Sequence, residues 1–355
     1  MFDAGVYHYY QYAQLYDPST KIIARTTSQD RILQAAEYFM SGFFGQDWTQ
    51  NATLEVFIEE VGYNTSLSSY LICDNSRLPV NLGGRNASLL WQSIYLANAT
   101  SRLQSMITGY NWTLQDTSAA QTMCPYETFA FGYSAWCSLF TYSEWEGFEY
   151  AIDLSYAGSF AFNSPTARAL GISWQQEIMA RLQQHVITNA TDANNITVDN
   201  NTATFPLNQS LYFDFSHDTN MVPIFTAFGL KQFDQYLPAV GPPPANRSLF
   251  ISRMVPNAAR FAIEIIKTPS PVPADRSYGA SSGPPTTYVH FLLGQRTIPL
   301  GVSLPACGDR VDGWCEIGAF MESQKDAVQL ANFDFACFGD YPAVPYGTIT
   351  NGAPQ

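Results

Sequence analysis

The stretch from residue 21 to residue 58 limits the folds open to this chain more than any other. Lys21–Ala24 (KIIA) is a short apolar run with the character of a buried strand. In the RTTSQDRILQAAEYFMSGFFG that follows, Thr27 or Ser28 can cap a helix. Ile32, Ala36, Phe39 and Phe43 form one apolar face, and Gly45 can end it. Leu54–Ile58 (LEVFI) reads as a second strand. Two strands joined through a helix form a parallel βαβ unit, and such a unit implies an α/β fold with helices packed on the sheet. A further helix precedes it. Phe2, Val6, Tyr9, Tyr10 and Ala13 recur at helical spacing, with no capping residue before them.

From Cys73 to His185 strand signals are sparse. The clearest helices lie over Ser143–Asp153, with Ser143 as its cap and Glu144 and Glu146 in its first turn, and over Pro165–Val186. The polar run NATDANNITVDNNT then reads as a loop. The expectation is an α/β core made of residues 1–72 and 190–355, with residues 73–189 inserted as a mostly helical lobe. Strand character returns at Ser210–Ser216 (SLYFDFS). The HDTNMVPIFTAFG that follows reads as a short helix, capped by Asp218 or Thr219 and stopped by Gly229. Arg260–Ile266 and Tyr288–Leu293 read as strands, the second turning at Leu293-Gly294-Gln295 into RTIPL. A final helix is expected over Ile317–Ser323.

Composition decides which partners such a fold can have. Hydrophobic residues make up 46% of the 355 and charged residues 13%, which excludes a disordered chain or a charged coiled coil and allows one large domain or two packed lobes. A net charge of −13 excludes nucleic acid and anionic membranes as partners at neutral pH, and acid weakens the repulsion of an anionic substrate. No apolar run is long enough to span a membrane. The six cysteines include no CxxC pair, which argues against zinc ribbons and thioredoxin-like sites. Asn-x-Ser/Thr sequons begin at Asn51, Asn64, Asn86, Asn98, Asn111, Asn189, Asn195, Asn200, Asn208 and Asn246. Sequons at this density with an even cysteine count imply an N-glycosylated, secreted protein. Met1 runs into FDAGVYHYYQYAQLY, which is no signal peptide, so the leader is expected upstream.

The segment YFDFSHDTNM carries the most chemistry. It sets His217 and Asp218 at a strand end and a helix N-terminus, where α/β folds place anionic ligands. His217 can donate a hydrogen bond to a phosphate oxygen, and a protonated Asp218 can supply a proton to a leaving alkoxide. On the dipeptide alone, a helix cap and a buried histidine explain it better. Arg31, in the first turn of the helix after KIIA, can grip phosphate through two N–H groups, although a lone surface arginine is the commoner case. Arg25 reads as a structural partner of nearby carboxylates and His8 as a packing residue.

Taken together, these segments resemble the histidine acid phosphatases, the fungal phytases in particular. ARTTSQDRILQAAEYFMSGF, CPYETFAFGYSAWCSLFTYSEWEGFEY, ISWQQEIMARL, FSHDTNM, VPNAARFAIEI and CGDRVDGWC are similar to that family's segments and stand in its order. The resemblance implies a three-layer α/β core with an inserted helical lobe, lacking the N-terminal part of the core. It also implies a metal-free, cofactor-free phosphomonoesterase acting through a phosphohistidine on a small phosphorylated substrate, phytate among the candidates. It makes Arg31 and His217 phosphate-binding, Asp218 the proton donor and Thr219 a lining residue. It pairs Cys73 with Cys337, Cys124 with Cys137 and Cys307 with Cys315; spacing alone leaves every arrangement open. The family's nucleophile lies in an Arg-His-Gly-x-Arg-x-Pro motif, and no Arg-His-Gly occurs here. That segment is expected upstream of Met1.

Two readings of other classes remain. A catalytically inactive glycoprotein could keep the phosphatase scaffold and bind a phosphorylated ligand. A glycosidase could use Glu59 and Glu60, but adjacent carboxylates on a strand point to opposite faces.

Overall fold

The computed structural model describes residues 1–277 and 282–355. Its N-terminal part is a helix-strand-helix-strand run: α1 Phe2–Tyr12, β1 Ile22–Thr27, α2 Asp30–Phe44 and β2 Ala52–Phe57. β1 and β2 pair in parallel, Arg25 opposite Glu55, with α2 as the crossover. The apolar stripe of α2 buries Ala36, Phe39, Met40 and Phe43, and Gly45 ends the helix at φ 86°. Gln29, not Thr27 or Ser28, sits at its N-cap and makes no side-chain cap bond. The Ser28 hydroxyl instead accepts the Glu59 N–H at 2.9 Å and so ties the β1–α2 turn to the end of β2.

The helix at the start is α1, but the expected face is not the buried one. Ala4 and Gly5 are buried, while Tyr10 is 82% exposed. The cause is a close helix crossing. A Cβ on Gly5 would stand 2.1 Å from the Phe39 carbonyl oxygen, and one on Gly42 the same distance from that of Phe2. Small residues, not the aromatic stripe, therefore set the contact.

The expected strand over Ser210–Ser216 is reduced to one bridge, Asp214 beside Arg25 in parallel. The Arg25 N–H donates to Phe213 O at 2.8 Å and the Phe215 N–H to Arg25 O at 2.9 Å. Further back, the Gln209 side chain replaces the backbone as partner. It accepts from the Ile23 N–H at 2.5 Å and donates to the Ile23 carbonyl at 3.0 Å. β1 is thus flanked on both sides, and its far neighbour leads directly into His217.

Between residues 73 and 189 the described backbone holds α3 Gly83–Tyr95, α4 Ala97–Gln104, α5 Leu114–Phe131, α6 Tyr142–Ser159 and α7 Ala167–Gln183, and no strand. α6 is capped by Thr141, not Ser143, in a reciprocal box with Glu144. The polar run after α7 contains one turn of helix, α8 Ile196–Asp199, capped by Asn195. Next come α9 Asp218–Ala227, stopped near Gly229, and α10 Ile251–Met254. A second, antiparallel sheet follows, built of β3 Phe261–Thr268, β4 Thr286–Leu293, β5 Arg296–Ile298 and β6 Cys315–Glu316. The β4–β5 hairpin turns at Gly294 and Gln295 as expected. α11 Ile317–Ser323 is not the last helix, since α12 Ala327–Ala331 and α13 Phe333–Phe338 follow it.

One apolar core joins the helical stretch to the second sheet. Trp91, Tyr150, Leu154 and Met179 pack with Val222 and Phe225 of α9, with Phe228 just after it, and with Phe291 and Phe320. A fully buried side chain of this size contributes about 1.5–3 kcal/mol, so α9 is anchored along its whole apolar length. The disulfides are Cys73–Cys337, Cys124–Cys137 and Cys307–Cys315. No helix among the described residues is long and apolar enough to cross a membrane.

Candidate active site

The ends of β1 and β2 and the start of α9 bring three of the sequence-derived residues together. Arg31, in the first turn of α2, is exposed. Its Nε donates to Gln29 Oε1 at 2.7 Å, and its Nη2 lies 3.2 Å from His217 Nδ1. His217 is the N-cap of α9 and is only 5% exposed. Its second nitrogen, Nε2, is 2.9 Å from the Glu59 carboxylate. A guanidinium can only donate, so Nδ1 accepts from Arg31 and the proton sits on Nε2, facing Glu59.

Asp218 is exposed at the start of α9, and both its oxygens are occupied. The Tyr156 hydroxyl donates to Oδ2 at 2.6 Å and the Thr219 N–H to Oδ1 at 2.8 Å. The cap of α9 is thus His217, not Asp218 or Thr219 as the sequence suggested, and no side-chain cap bond is made; Asp218 is the first residue of the helix and accepts the N–H of the next. Thr219 is half-buried and meets the cluster through its backbone N–H. The loop before α3 holds the other side: Ser216 Oγ donates to Leu67 O at 2.5 Å and Asn220 Nδ2 to Ser66 O at 2.9 Å.

Glu59, Tyr70 and Tyr156 complete the cluster, and sequence reasoning assigned none of them to it. Glu59 and Glu60 lie beyond the end of β2, so the strand geometry that set them on opposite faces does not apply. Glu59 turns in to His217, and Glu60 is exposed. Burial pushes the Glu59 carboxyl up, but hydrogen bonds, that from His217 first, outweigh it and hold it below its ordinary value. Tyr70 donates to Glu59 Oε1 at 2.7 Å and sets its ring edge-on to His217 at 5.9 Å. Burial, with the Glu59 bond, pushes the Tyr70 phenol well up. Burial, and then the charge of Asp218, do the same to Tyr156. Both phenols therefore stay protonated donors.

The other candidates lie elsewhere. Arg25 is 2% exposed and holds Asp214 with two bonds, Nε to Oδ1 at 2.7 Å and Nη2 to Oδ2 at 2.6 Å, while Nη2 also meets Glu177 at 2.5 Å. It is the structural partner of carboxylates that the sequence indicated. His8 bonds the Ala4 carbonyl and packs on Phe39. His185 bonds Val186 O and the Gln183 side chain, and His290 bonds Glu264 and Thr297. Among the described residues no group of His, Cys, Asp and Glu is arranged to hold a metal ion.

The model of the histidine phosphatase superfamily (branch 2) matches residues 1–293. Phytase A of Aspergillus terreus is 31% identical over 237 residues, covering 62% of this chain and 50% of that protein. Phytase A of Emericella nidulans is 32% identical over 251 residues, 67% of this chain and 53% of that protein. The thiamine-repressible acid phosphatase pho4 of Schizosaccharomyces pombe is 28% identical over 352 residues, 95% of this chain and 68% of that protein. The chain thus spans about half the length of the first two of these curated relatives. Among solved structures, the phytase from D. castellii superposes with a TM-score of 0.73 at 20% identity, covering 97% of this chain and 66% of that one.

Proposed function

The chain belongs to branch 2 of the histidine phosphatase superfamily, and from that premise we propose that its site binds the phosphoryl group of a small phosphomonoester and protonates the leaving alcohol. The observation that carries this reading is the meeting of Arg31, His217 and Asp218 at the start of α9, with Glu59 behind the histidine. Arg31 and His217 bind the phosphoryl oxygens and offset their charge. When an acceptor from outside these residues bonds to phosphorus and the P–O bond to the leaving group breaks, Asp218 is placed to pass a proton to the departing oxygen. Thr219 lines the same end of the site. The family resemblance implies transfer of the phosphoryl group to a histidine of an Arg-His-Gly motif, and the 355 residues contain no such motif. His8, His185 and His290 make their contacts outside the cluster, which favours a second reading for these residues on their own, a phosphate-binding scaffold without turnover.

Isothermal titration of inorganic phosphate into the full chain at mildly acid pH tests the first part. Binding that His217→Ala weakens at least tenfold supports it, and equal affinity in the variant rejects it. An assay with p-nitrophenyl phosphate separates the two readings. The chain by itself is expected to give no turnover above background, and a rate that Asp218→Asn abolishes would refute that expectation.

The same reading divides the chain into an α/β core of residues 1–72 and 190–355 and a helical insertion of residues 73–189. It makes the protein a secreted glycoprotein. Of the sequon asparagines, Asn64, Asn86, Asn98, Asn111, Asn189, Asn200, Asn208 and Asn246 are exposed, and a mass shift on enzymatic deglycosylation of the eukaryotic product checks their use.

A further inference from the structure

Two pockets of about 220 Å³ and 240 Å³ lie side by side along the loop that follows α7, among residues that take no part in the Arg31–His217–Asp218 cluster. They share Thr191, Asp192 and Val328 and so form one groove. Ile172 and Met179 of α7, Val328 of α12 and Phe333 of α13 give it an apolar lining. Most of the remaining lining is amide and hydroxyl, and among the described residues no lysine or arginine belongs to it. The loop also carries an N-glycosylation sequon. Asn189, Ala190 and Thr191 all line the groove, and Asn189 and Thr191 are exposed. Of the sequon asparagines, Asn189 is the one in this lining. Asn195, in the next sequon, uses its side-chain oxygen to accept the Thr197 N–H at 3.2 Å and cap α8.

Resting on the glycoprotein reading above, we propose that this groove seats the innermost sugars of an N-glycan on Asn189, which then ties the loop after α7 to α12 and α13. A sugar ring has C–H groups on its face and hydroxyls on its rim. The first lose water against Ile172, Val328 and Phe333, and the second meet amides and carboxylates such as Gln329 and Asp192. Without a cation in its lining, the groove suits a neutral, hydroxyl-rich ligand and not an anion. Asn194, 2% exposed, lines the same groove, and its Oδ1 has no hydrogen-bond partner among the described residues. Each pocket is smaller than the roughly 300–1,000 Å³ of a site that encloses a drug-sized ligand, so a free sugar has too few contacts to stay. A covalent link to Asn189 makes the contact intramolecular and populates it without added ligand. A contact made in the folded state alone stabilises that state.

The full chain, secreted from a yeast host behind a heterologous leader, tests this. Glycopeptide mass spectrometry should find Asn189 occupied. Endoglycosidase digestion of the folded protein should trim that glycan several-fold more slowly than the one on Asn246, which lines neither pocket. Val328→Glu, at a position 40% exposed in the wall of both pockets, should restore fast trimming without changing occupancy. Asn189→Gln should lower the melting temperature of the glycosylated product by several degrees, and the two proteins should melt together once all glycans are removed. Equal trimming at Asn189 and Asn246 overturns the proposal, as does slow trimming that survives Val328→Glu. An unchanged melting temperature in Asn189→Gln overturns it too, and so does a difference that persists after deglycosylation. An empty Asn189 beside other occupied sequons overturns this inference and leaves the glycoprotein reading standing. Absence of glycan from every sequon overturns both.

Discussion

Arg25 and Arg31 sit close together in the chain and face the same stretch, residues 213–218, yet they end in opposite environments. Arg25 points from β1 into a sealed cluster. Asp214 and Glu177 grip it, Asp199 stands 4.0 Å off, and Arg181 lies 3.7 Å from Asp214, stacked over the rings of Phe205 and Tyr212. Arg31 points from the first turn of α2 to solvent and, among the described residues, bonds Gln29 and His217. A buried ion pair contributes little net stability but is expensive to break. An exposed arginine held by two neutral acceptors gives up little when an anion displaces them. The sealed cluster fixes the strand that carries His217, and the open one keeps a cation free for a ligand. Residue type does not separate the two roles; the number of carboxylates each guanidinium already holds does.

The largest expected contrast is with pH. Burial, and then the charge of Glu177, push the Asp199 carboxyl up to about 8. Burial raises Asp153 and Asp192 to about 6. A carboxyl raised on folding keeps more protons in the folded state than in the unfolded one. Its stability contribution is therefore fully present below its ordinary value near 3.8 and is lost as pH climbs to about 8. For Asp199 the loss is at most on the order of 5 kcal/mol by the usual conversion. Burial also opposes the charge on Asp214, but Arg25 outweighs it and holds that carboxyl far below its normal range, so this pair survives into strong acid. Urea titrations across pH should show stability falling from mildly acid to mildly alkaline conditions, and Asp199→Asn should flatten the slope. A slope unchanged in the variant would break the assignment.

Next in size is removal of each arginine. Arg25→Ala strands buried carboxylates and should cost about 3–5 kcal/mol of unfolding free energy, read by chemical denaturation. Arg31→Ala should weaken inorganic phosphate by roughly tenfold to a hundredfold, the worth of hydrogen bonds to a charged group at about 1.5–3 kcal/mol. It should move the unfolding free energy by no more than about 0.5 kcal/mol. A loss of stability in Arg31→Ala comparable to that in Arg25→Ala would erase the distinction between the clusters. The smallest expected effects concern single donors. Trp174 Nε1 donates to Asp214 at 2.8 Å in the sealed cluster, and Tyr70 donates to Glu59 at 2.7 Å in the open one. Trp174→Phe and Tyr70→Phe should each cost about 0.5–1.5 kcal/mol, but only Tyr70→Phe should also alter phosphate affinity, because Glu59 orients His217.

The sequence made the parallel β1–α2–β2 unit legible because its apolar spacing is regular and its connection permits one pairing. It also placed Arg31 and His217–Asp218 on the right helix starts. It could not tell that the Gln209 side chain would stand in for strand partners of β1, since side-chain substitution for a ladder leaves no periodic trace. The crossing of α1 and α2 went unseen for a related reason. Gly5 and Gly42 matter through what a Cβ would strike, which depends on the partner helix. Glu59 was visible only as half of an adjacent pair, and Tyr156 not at all, because it reaches Asp218 from a helix far away in the chain.

The most direct test of the central claim is a crystal structure of the chain grown with tungstate as a phosphate mimic. The account predicts the oxyanion within hydrogen-bond distance of the Arg31 guanidinium and His217 Nδ1, with the Arg31–His217 contact opened, the Arg25–Asp214 pair undisturbed and Asp218 on the far side of the anion. An oxyanion bound elsewhere, with Arg31 still resting on His217, would contradict it.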